Sequence, residues 1–430
     1  MSKNIATGYC LCVMGFFMIS VLLRAFTQNV LVEILHINNA FTQTVIAERA
    51  FLMDMNLSTI NWARRYPFLE RDSAVRIPRL DAFKSKVAMF KGSIERLKGK
   101  VEKYTTESLV ARVFFVESAV RIENALGWTL NDDAVDLGGG FITQLVEQRD
   151  AGPGADGLAD LHGFLSPLNI GLLYVQSPHK ISKGDVIIGI NDFSNANSDA
   201  LLAALGTRHI PYLDLRETIL QEGLDHHSLF YKTDHHWKAE TGLWASNVIA
   251  AYLNAHNGFS IDTALFSPDR FRYEVYEKWF LGSIGRKVTL IRADPEDCAL
   301  IYPKEEADIS FQIPSWNIDT RGGFDVIYDY RHVAMKDYYN HIPYSAYTYA
   351  DNALITIHNH KRLDGKKVLF IKDSFVNVVA PFFALGVEYV DVLDLRHFNG
   401  SVKNYIEQTK PDIVIVMYNP GVDSNMFDFR

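Results

Sequence analysis

Cysteine is scarce: three residues in 430, Cys10, Cys12 and Cys298. The first two share one apolar segment, which leaves Cys298 without an obvious partner and argues against both a disulfide framework and a thiolate zinc site. Neither Cys10 nor Cys12 follows the small residues that a bacterial lipidation site needs, so no lipoprotein is expected. Also missing is any Lys/Arg cluster interleaved with aromatics; with a net charge of −8 and a pI near 6, the chain lacks the electrostatic footprint of a nucleic-acid binder. No repeat at solenoid spacing occurs. After residue 23 there is no second uncharged run long enough to span a bilayer.

What is present suffices for a large core: 48% apolar residues, 12% of all residues being aromatic. Residues 6–23, "ATGYCLCVMGFFMISVLL", carry no charge, with Lys3 before them and Arg24 after. Without a clear small-x-small cleavage site in "RAFTQNVLVEIL", residues 1–26 read as an uncleaved signal anchor, against the alternative of a buried soluble helix. The expected location is the cytoplasmic membrane, single-pass, with the bulk of the chain outside the cytoplasm.

Residues 27–130 show helical spacing of apolar residues with Lys and Glu between them, a linker or stalk. "LGGGFITQL" and "DAGPGADG" then break the period. From 131 to 430 short apolar runs alternate with helical stretches: "NIGLLYVQ", "IPYLDL", "KKVLFI", "YVDVLDL" and "DIVIVMY" are the strands. Such alternation predicts an α/β fold with a mostly parallel sheet covered on both faces. Residues 257–350, rich in Pro, Gly, Tyr and charge, read as an irregular insertion.

Ser374 follows the strand "VLFIK" and precedes a helical stretch, so its hydroxyl falls at the carboxyl edge of the sheet beside unpaired amides. The competing reading is that Asp373-Ser374 is only an N-cap. In "KTDHHWKAETG", an extended 233–237 places Asp234 and His236 on one side and turns His235 away. Asp234 can then orient His236, and His236 can take a proton from a serine. A metal site built from the many imidazoles, "HNH" at 358–360 included, is the other reading, although metal-ligand spacing is lacking. Of the two Asp-His-His copies, 225–227 has no tryptophan or helix start behind it and is expected at the rim. Asn419 and Arg396 end neighbouring strands, and both are candidates to face Ser374 as oxyanion or substrate-binding groups, or else are turn residues.

"LFYKTDHHWKAETG", "WFLGSIGR", "KKVLFIKDSF", "VDVLDLR" and "PDIVIVMY", in this order, resemble the DHHW family of SGNH-hydrolase-like proteins and are similar to alginate O-acetyltransferases of the bacterial envelope. The resemblance implies a three-layer α/β/α sandwich with a rearranged block order, and an Asp234-His236-Ser374 triad with the Asp-x-His element ahead of the serine. It places Asn419 where the oxyanion-hole asparagine belongs. Lys372 stands where the family's Gly-Asp-Ser block has its glycine. It also implies an O-acetyltransferase or O-acetylesterase for a cell-surface or exported polysaccharide, with no cofactor or metal and an integral-membrane acyl-transfer partner. The alternative is a non-catalytic, anchored glycan-binding or assembly subunit. Trp279, Trp316, Tyr344, Tyr347 and Tyr349 are the aromatics available to stack on sugars.

Overall fold

The computed structural model describes Glu117, Val120, Arg121 and residues 134–430 except 186–190 and 364. Three consecutive glycines, 138 to 140, take positive φ (87°, 62° and 84°) and reverse the chain. β1 (Ala134–Gly138) thereby pairs antiparallel with β2 (Phe141–Gln144). The order continues α1 (Gly152–Leu165), β3 (Gly171–Gln176), α2 (Ser194–Thr207), β4 (Tyr212–Asp214), α3 (Leu215–Gln221) and the long α4 (Ala239–His256). An antiparallel ribbon follows, β5 (Phe271–Phe280) and β6 (Glu296–Pro303), with α5 (Ser283–Arg292) between its strands. Then come β7 (Ile309–Ile313), β8 (Ile318–Gly322), β9 (Leu354–Asn359), β10 (Lys367–Lys372), α6 (Ala380–Phe383), β11 (Tyr389–Leu393), α7 (Val402–Thr409) and β12 (Ile413–Tyr418).

Eight strands form the main sheet in the order β4-β3-β12-β10-β11-β9-β7-β8. The first five are parallel. The last three are antiparallel to their neighbours, so the expectation of a mostly parallel sheet holds for one half and the whole is mixed. Two of those three strands come from 257–350. Along β7, Ile309, Phe311 and Ile313 are buried while Ser310 and Gln312 are not fully covered. That alternation is too short to stand out in a segment so rich in tyrosine and charge.

The parallel strands are apolar on both sides because both faces are covered. Val368, Phe370, Ile415 and Met417 pack with Trp237 and Leu243 at α4. Leu369, Ile371, Val414 and Val416 pack on the opposite face with Leu161, Leu202 and Ile406 from α1, α2 and α7. β11 and β12 flank β10 on opposite sides, so the chain switches sides after β11. Groups at the carboxyl end of β10 therefore stand at the crevice such a switch creates.

Among the described residues no helix is long and apolar enough to cross a membrane. Residues 1–26, expected as an anchor, and 27–130, apart from Glu117, Val120 and Arg121, lie outside the described residues.

Candidate active site

β10 ends at Lys372, and Asp373 caps the 3-10 turn Ser374–Val378 by accepting the Phe375 N–H at 2.9 Å. Capping thus falls to Asp373, and the hydroxyl of Ser374 is left for another partner. His236 Nε2 lies 2.7 Å from Ser374 Oγ. On its other side, His236 Nδ1 is 2.5 Å from Asp234 Oδ1. As first residue of its turn, Ser374 has a backbone N–H without an intrahelical acceptor.

The 233–237 segment is bent, not extended as its sequence suggests. Asp234 Oδ1 also accepts the backbone N–H of His236, at 3.0 Å, a local turn that aspartate side chains favour. The bend brings Asp234 and His236 together by a different route and overturns the expectation for His235. Rather than facing away, the His235 ring packs 3.7 Å from that of His236, with Nδ1 3.1 Å from Ser283 Oγ.

Distant backbone and buried polar groups hold this bend. Asp234 Oδ2 accepts the Ser283 N–H at 2.5 Å. The buried Lys180 ammonium donates to the carbonyls of Ile142 (2.7 Å), Lys232 (3.1 Å) and Asp234. Glu296 accepts the N–H groups of Lys232 and Thr233 at 2.7 and 2.8 Å. Trp237 Nε1 donates to the Phe375 carbonyl at 3.1 Å, tying the histidine loop to the serine turn.

Burial by itself raises the Asp234 carboxyl, but the imidazoles of His236 and His235, with the hydrogen bonds from His236 and Ser283, hold it well below the usual carboxylate range. His235 is pushed down to about 3, by burial first and the His236 ring second. Burial raises Asp373 despite the hydrogen bonds it accepts from Asn419 and Phe375.

Asn419 and Arg396 reach the same edge, but both are engaged by carboxylates. Asn419 gives its backbone N–H (2.5 Å) and its Nδ2 (2.6 Å) to Asp373 Oδ2 and accepts the Gly421 N–H on Oδ1. Arg396 clamps Asp394 through Nε and Nη2 and reaches Asp351 Oδ2 at 2.9 Å. Lys372 joins that cluster: fully buried, its Nζ lies 2.5 Å from Asp351, 2.8 Å from Asn377 and 3.1 Å from Asp394. The Lys372 cation is therefore committed to two carboxylates and an amide oxygen.

Two described groups, Asp234/His235/His236 and Asp351/Asp394/His397, bring three metal-type ligand atoms within 4.8 Å of one another. In the first, Asp234 and His236 are already paired with each other; in the second, both carboxylates are paired with Lys372 and Arg396. His360 of the "HNH" stretch bonds Ser310 at 2.7 Å and belongs to the far end of the sheet. In the first Asp-His-His copy, His226 Nε2 lies 2.8 Å from the His179 carbonyl oxygen.

Sequence reasoning missed Ser283, Lys180 and the true place of Tyr344, whose ring covers His236 and whose hydroxyl donates to the Ser374 carbonyl. The Gly282-Ser283 pair inside "WFLGSIGR" was the available signal. A cavity of about 490 Å³ lies beside Asn419, lined by Tyr174, Gln176, Ser198 and Phe427, and excludes Ser374 and His236 from its walls.

Residues 156–266 match the family model described as SGNH hydrolase-like domain, acetyltransferase AlgX. That stretch, about a quarter of the chain, is similar to part of an SGNH hydrolase-like domain. The matched stretch contains Asp234 and His236 but stops short of Ser374. Bacillus cereus PatB1 is 20% identical, with a TM-score of 0.58 over 70% of this chain and 100% of PatB1. A DHHW family protein from Eubacterium siraeum is 17% identical, with a TM-score of 0.50 over 68% of this chain and 93% of that one. The O-acetyltransferase domain of Pseudomonas putida AlgJ is 12% identical, with a TM-score of 0.38 over 69% of this chain and 92% of its own. At these identities the likeness to PatB1 and to the DHHW family protein is one of fold. No curated protein sequence matches.

Proposed function

We propose that the SGNH-like domain is an acyl-ester enzyme, an O-acetyltransferase or O-acetylesterase acting on an extracytoplasmic polysaccharide. The observation that carries the reading is the unbroken chain Asp234–His236–Ser374, closed by hydrogen bonds of 2.5 and 2.7 Å. In this reading Ser374 Oγ attacks the acyl carbonyl carbon as its proton passes to His236 Nε2, and Asp234 holds Nδ1–H and stabilises the imidazolium. The developing oxyanion takes the Ser374 N–H. As the tetrahedral adduct collapses, His236 returns the proton to the leaving alcohol, and Ser374 keeps the acyl group. A water or a sugar hydroxyl, deprotonated by His236, then attacks the acyl-enzyme and frees the serine; which one arrives decides between hydrolase and transferase. Asn419 acts chiefly by holding Asp373, and Arg396, half exposed, offers its outer edge to substrate. Residues 1–26 are proposed to anchor the domain outside the membrane.

The acetyltransferase description of the matched family model supports the acetyl group as cargo. Bacillus cereus PatB1 has been solved with a sulfonyl adduct, which suggests a sulfonyl fluoride as probe. The full chain is expected to be labelled at Ser374 and to release acetate from an activated acetyl ester, with both lost in Ser374→Ala and labelling strongly slowed in His236→Ala. Unchanged acetate release by Ser374→Ala would overturn the assignment. Absence of both labelling and turnover in the wild type favours the non-catalytic glycan-binding subunit.

A further inference from the structure

The aromatics of 257–350 do not share one fate. Tyr344 and Tyr347 are core residues, 3% and 1% exposed, and Trp279 packs edge-on against Tyr276. Trp316, by contrast, is 48% exposed. Tyr349 meets it edge to face at 6.3 Å, and the Arg331 guanidinium sits 5.5 Å from the Trp316 ring centre.

Strand register fixes where this group stands. Gln312 of β7 pairs with Thr356 of β9, Thr356 with Asp391 of β11, and Asp391 with Leu369 of β10. Those four residues form one rung across the sheet. β7 runs in the same direction as β10, so Trp316, four residues beyond the rung, emerges at the same edge as Ser374, five residues beyond it. Three strand spacings separate them, about 14 Å. A short oligosaccharide, not a single ring, bridges such a gap.

The backbone beneath Tyr349 is built for presentation. Thr348, Tyr349 and Ala350 all take left-handed φ, 52°, 56° and 65°, in the absence of glycine. Buried Asn352 donates Nδ2 to the carbonyls of Thr348 (3.2 Å) and Tyr349 (2.9 Å). Non-glycine residues held this way are costly and persist where the surroundings over-determine them. Phe311 stacks against the Tyr349 ring at 5.7 Å and fixes its position. Two residues on, Asp351 bonds Lys372, itself two residues before Ser374.

We infer that Trp316 and Tyr349, flanked by Arg331, form a saccharide subsite for a pyranose chain whose acyl-bearing ring lies at Ser374. The inference rests on the proposed activity for its reacting centre and names the part of the substrate that the rest of the edge receives. Pyranose rings present C–H faces that stack on aromatic rings, and Arg331, whose Nε and Nη2 are held by Asp329 at 2.8 and 2.7 Å, presents Nη1 to a sugar oxygen.

Binding is tested apart from turnover, on the full chain carrying Ser374→Ala, by titration calorimetry with cellohexaose and with a mannuronate hexamer. At least one hexasaccharide is expected to bind, and Trp316→Ala to weaken it about tenfold or more. Trp316→Phe is expected to retain most of the affinity, and Tyr349→Ala to lose it in part. Binding of the mannuronate alone identifies an acidic chain; binding of both identifies a neutral contact to the ring faces. Failure of both sugars to bind, or equal binding with Trp316→Ala, overturns the subsite. Persistent acetate release by the Ser374→Ala parent overturns the enzymatic reading instead, and leaves the binding result to stand by itself.

Discussion

The Tyr344 ring lies flat on the His236 imidazole, with centroids 4.1 Å and planes 19° apart, while its hydroxyl donates to the Ser374 carbonyl at 2.9 Å. One side chain thus fixes the imidazole and the serine turn together. Tyr344→Phe keeps the ring and removes one buried hydrogen bond, at an expected cost of about 1 kcal/mol in stability. Tyr344→Ala also removes the surface against which the imidazole rests, costing about 3–5 kcal/mol and lowering kcat further than Tyr344→Phe does. Denaturant midpoints and acetate release check both variants. Identical behaviour of the two refutes the role of the ring.

Gly282 allows the close approach that lets the Ser283 N–H reach Asp234. A Cβ built on Gly282 falls 2.3 Å from Asp234 Cβ and 2.5 Å from its backbone nitrogen. Gly282→Ala must therefore displace the Asp234 loop, with about 1–3 kcal/mol of lost stability. A shift of about 1 Å in the histidine's support is expected to cost on the order of a hundredfold in kcat. Steady-state kinetics at wild-type levels from this variant would mean that the loop absorbs the methyl group without consequence.

Lys372 neutralises a pocket that two carboxylates share. Burial opposes their ionisation, yet Lys372 and Arg396 hold Asp351 and Asp394 below the usual carboxylate range. Lys372→Met leaves Asp394, itself fully buried, with Arg396 as its remaining cation. The expected loss is about 3–5 kcal/mol. An unshifted melting temperature for Lys372→Met is the result that contradicts this account.

Acid stability should depend on imidazoles kept neutral by the fold. Burial lowers His179 to about 4, and its Nδ1 accepts the Ile181 N–H at 3.3 Å. His235 is driven the same way, to about 3. An unfolded histidine takes up its proton near pH 6.5. Between that pH and 4 the unfolded chain binds more protons than the folded one, so stability falls as pH is lowered through this window. For His179 the slope approaches about 1.4 kcal/mol per pH unit. Urea midpoints across the window, compared with His179→Gln, should show a shallower slope in the variant; parallel slopes reject the assignment.

The parallel half of the sheet was legible because its strands are buried on both faces and read as continuous apolar runs, "VLFI" and "IVIVMY" being the clearest. Ser374 was legible by its place just after β10, and Asp234 and His236 by their Asp-x-His spacing. The local geometry was not. His235 packs on His236 because an aspartate turn bends the chain, and side-chain alternation has no account of such a turn. Ser283 contributes a backbone N–H, a group every non-proline residue carries, and Lys180 spends its charge on three carbonyls. Asn419 was recognisable as a strand-end residue, but its commitment to Asp373 depends on where a neighbouring strand places that carboxylate. β7 and β8 hid in a segment whose composition suggests irregular chain.

The bond between His236 and Ser374 joins positions 138 residues apart, and the Trp237–Phe375 bond spans the same interval. No amino-terminal fragment that stops before residue 374 holds both halves of the site. During synthesis the imidazole therefore waits for most of the chain before its hydroxyl partner exists, and truncation removes the pair outright instead of weakening it. Two fragments cut between α4 and β10 would each be inert, so recovery of acetate release on mixing them would report directly on whether the two halves of the sheet had found each other.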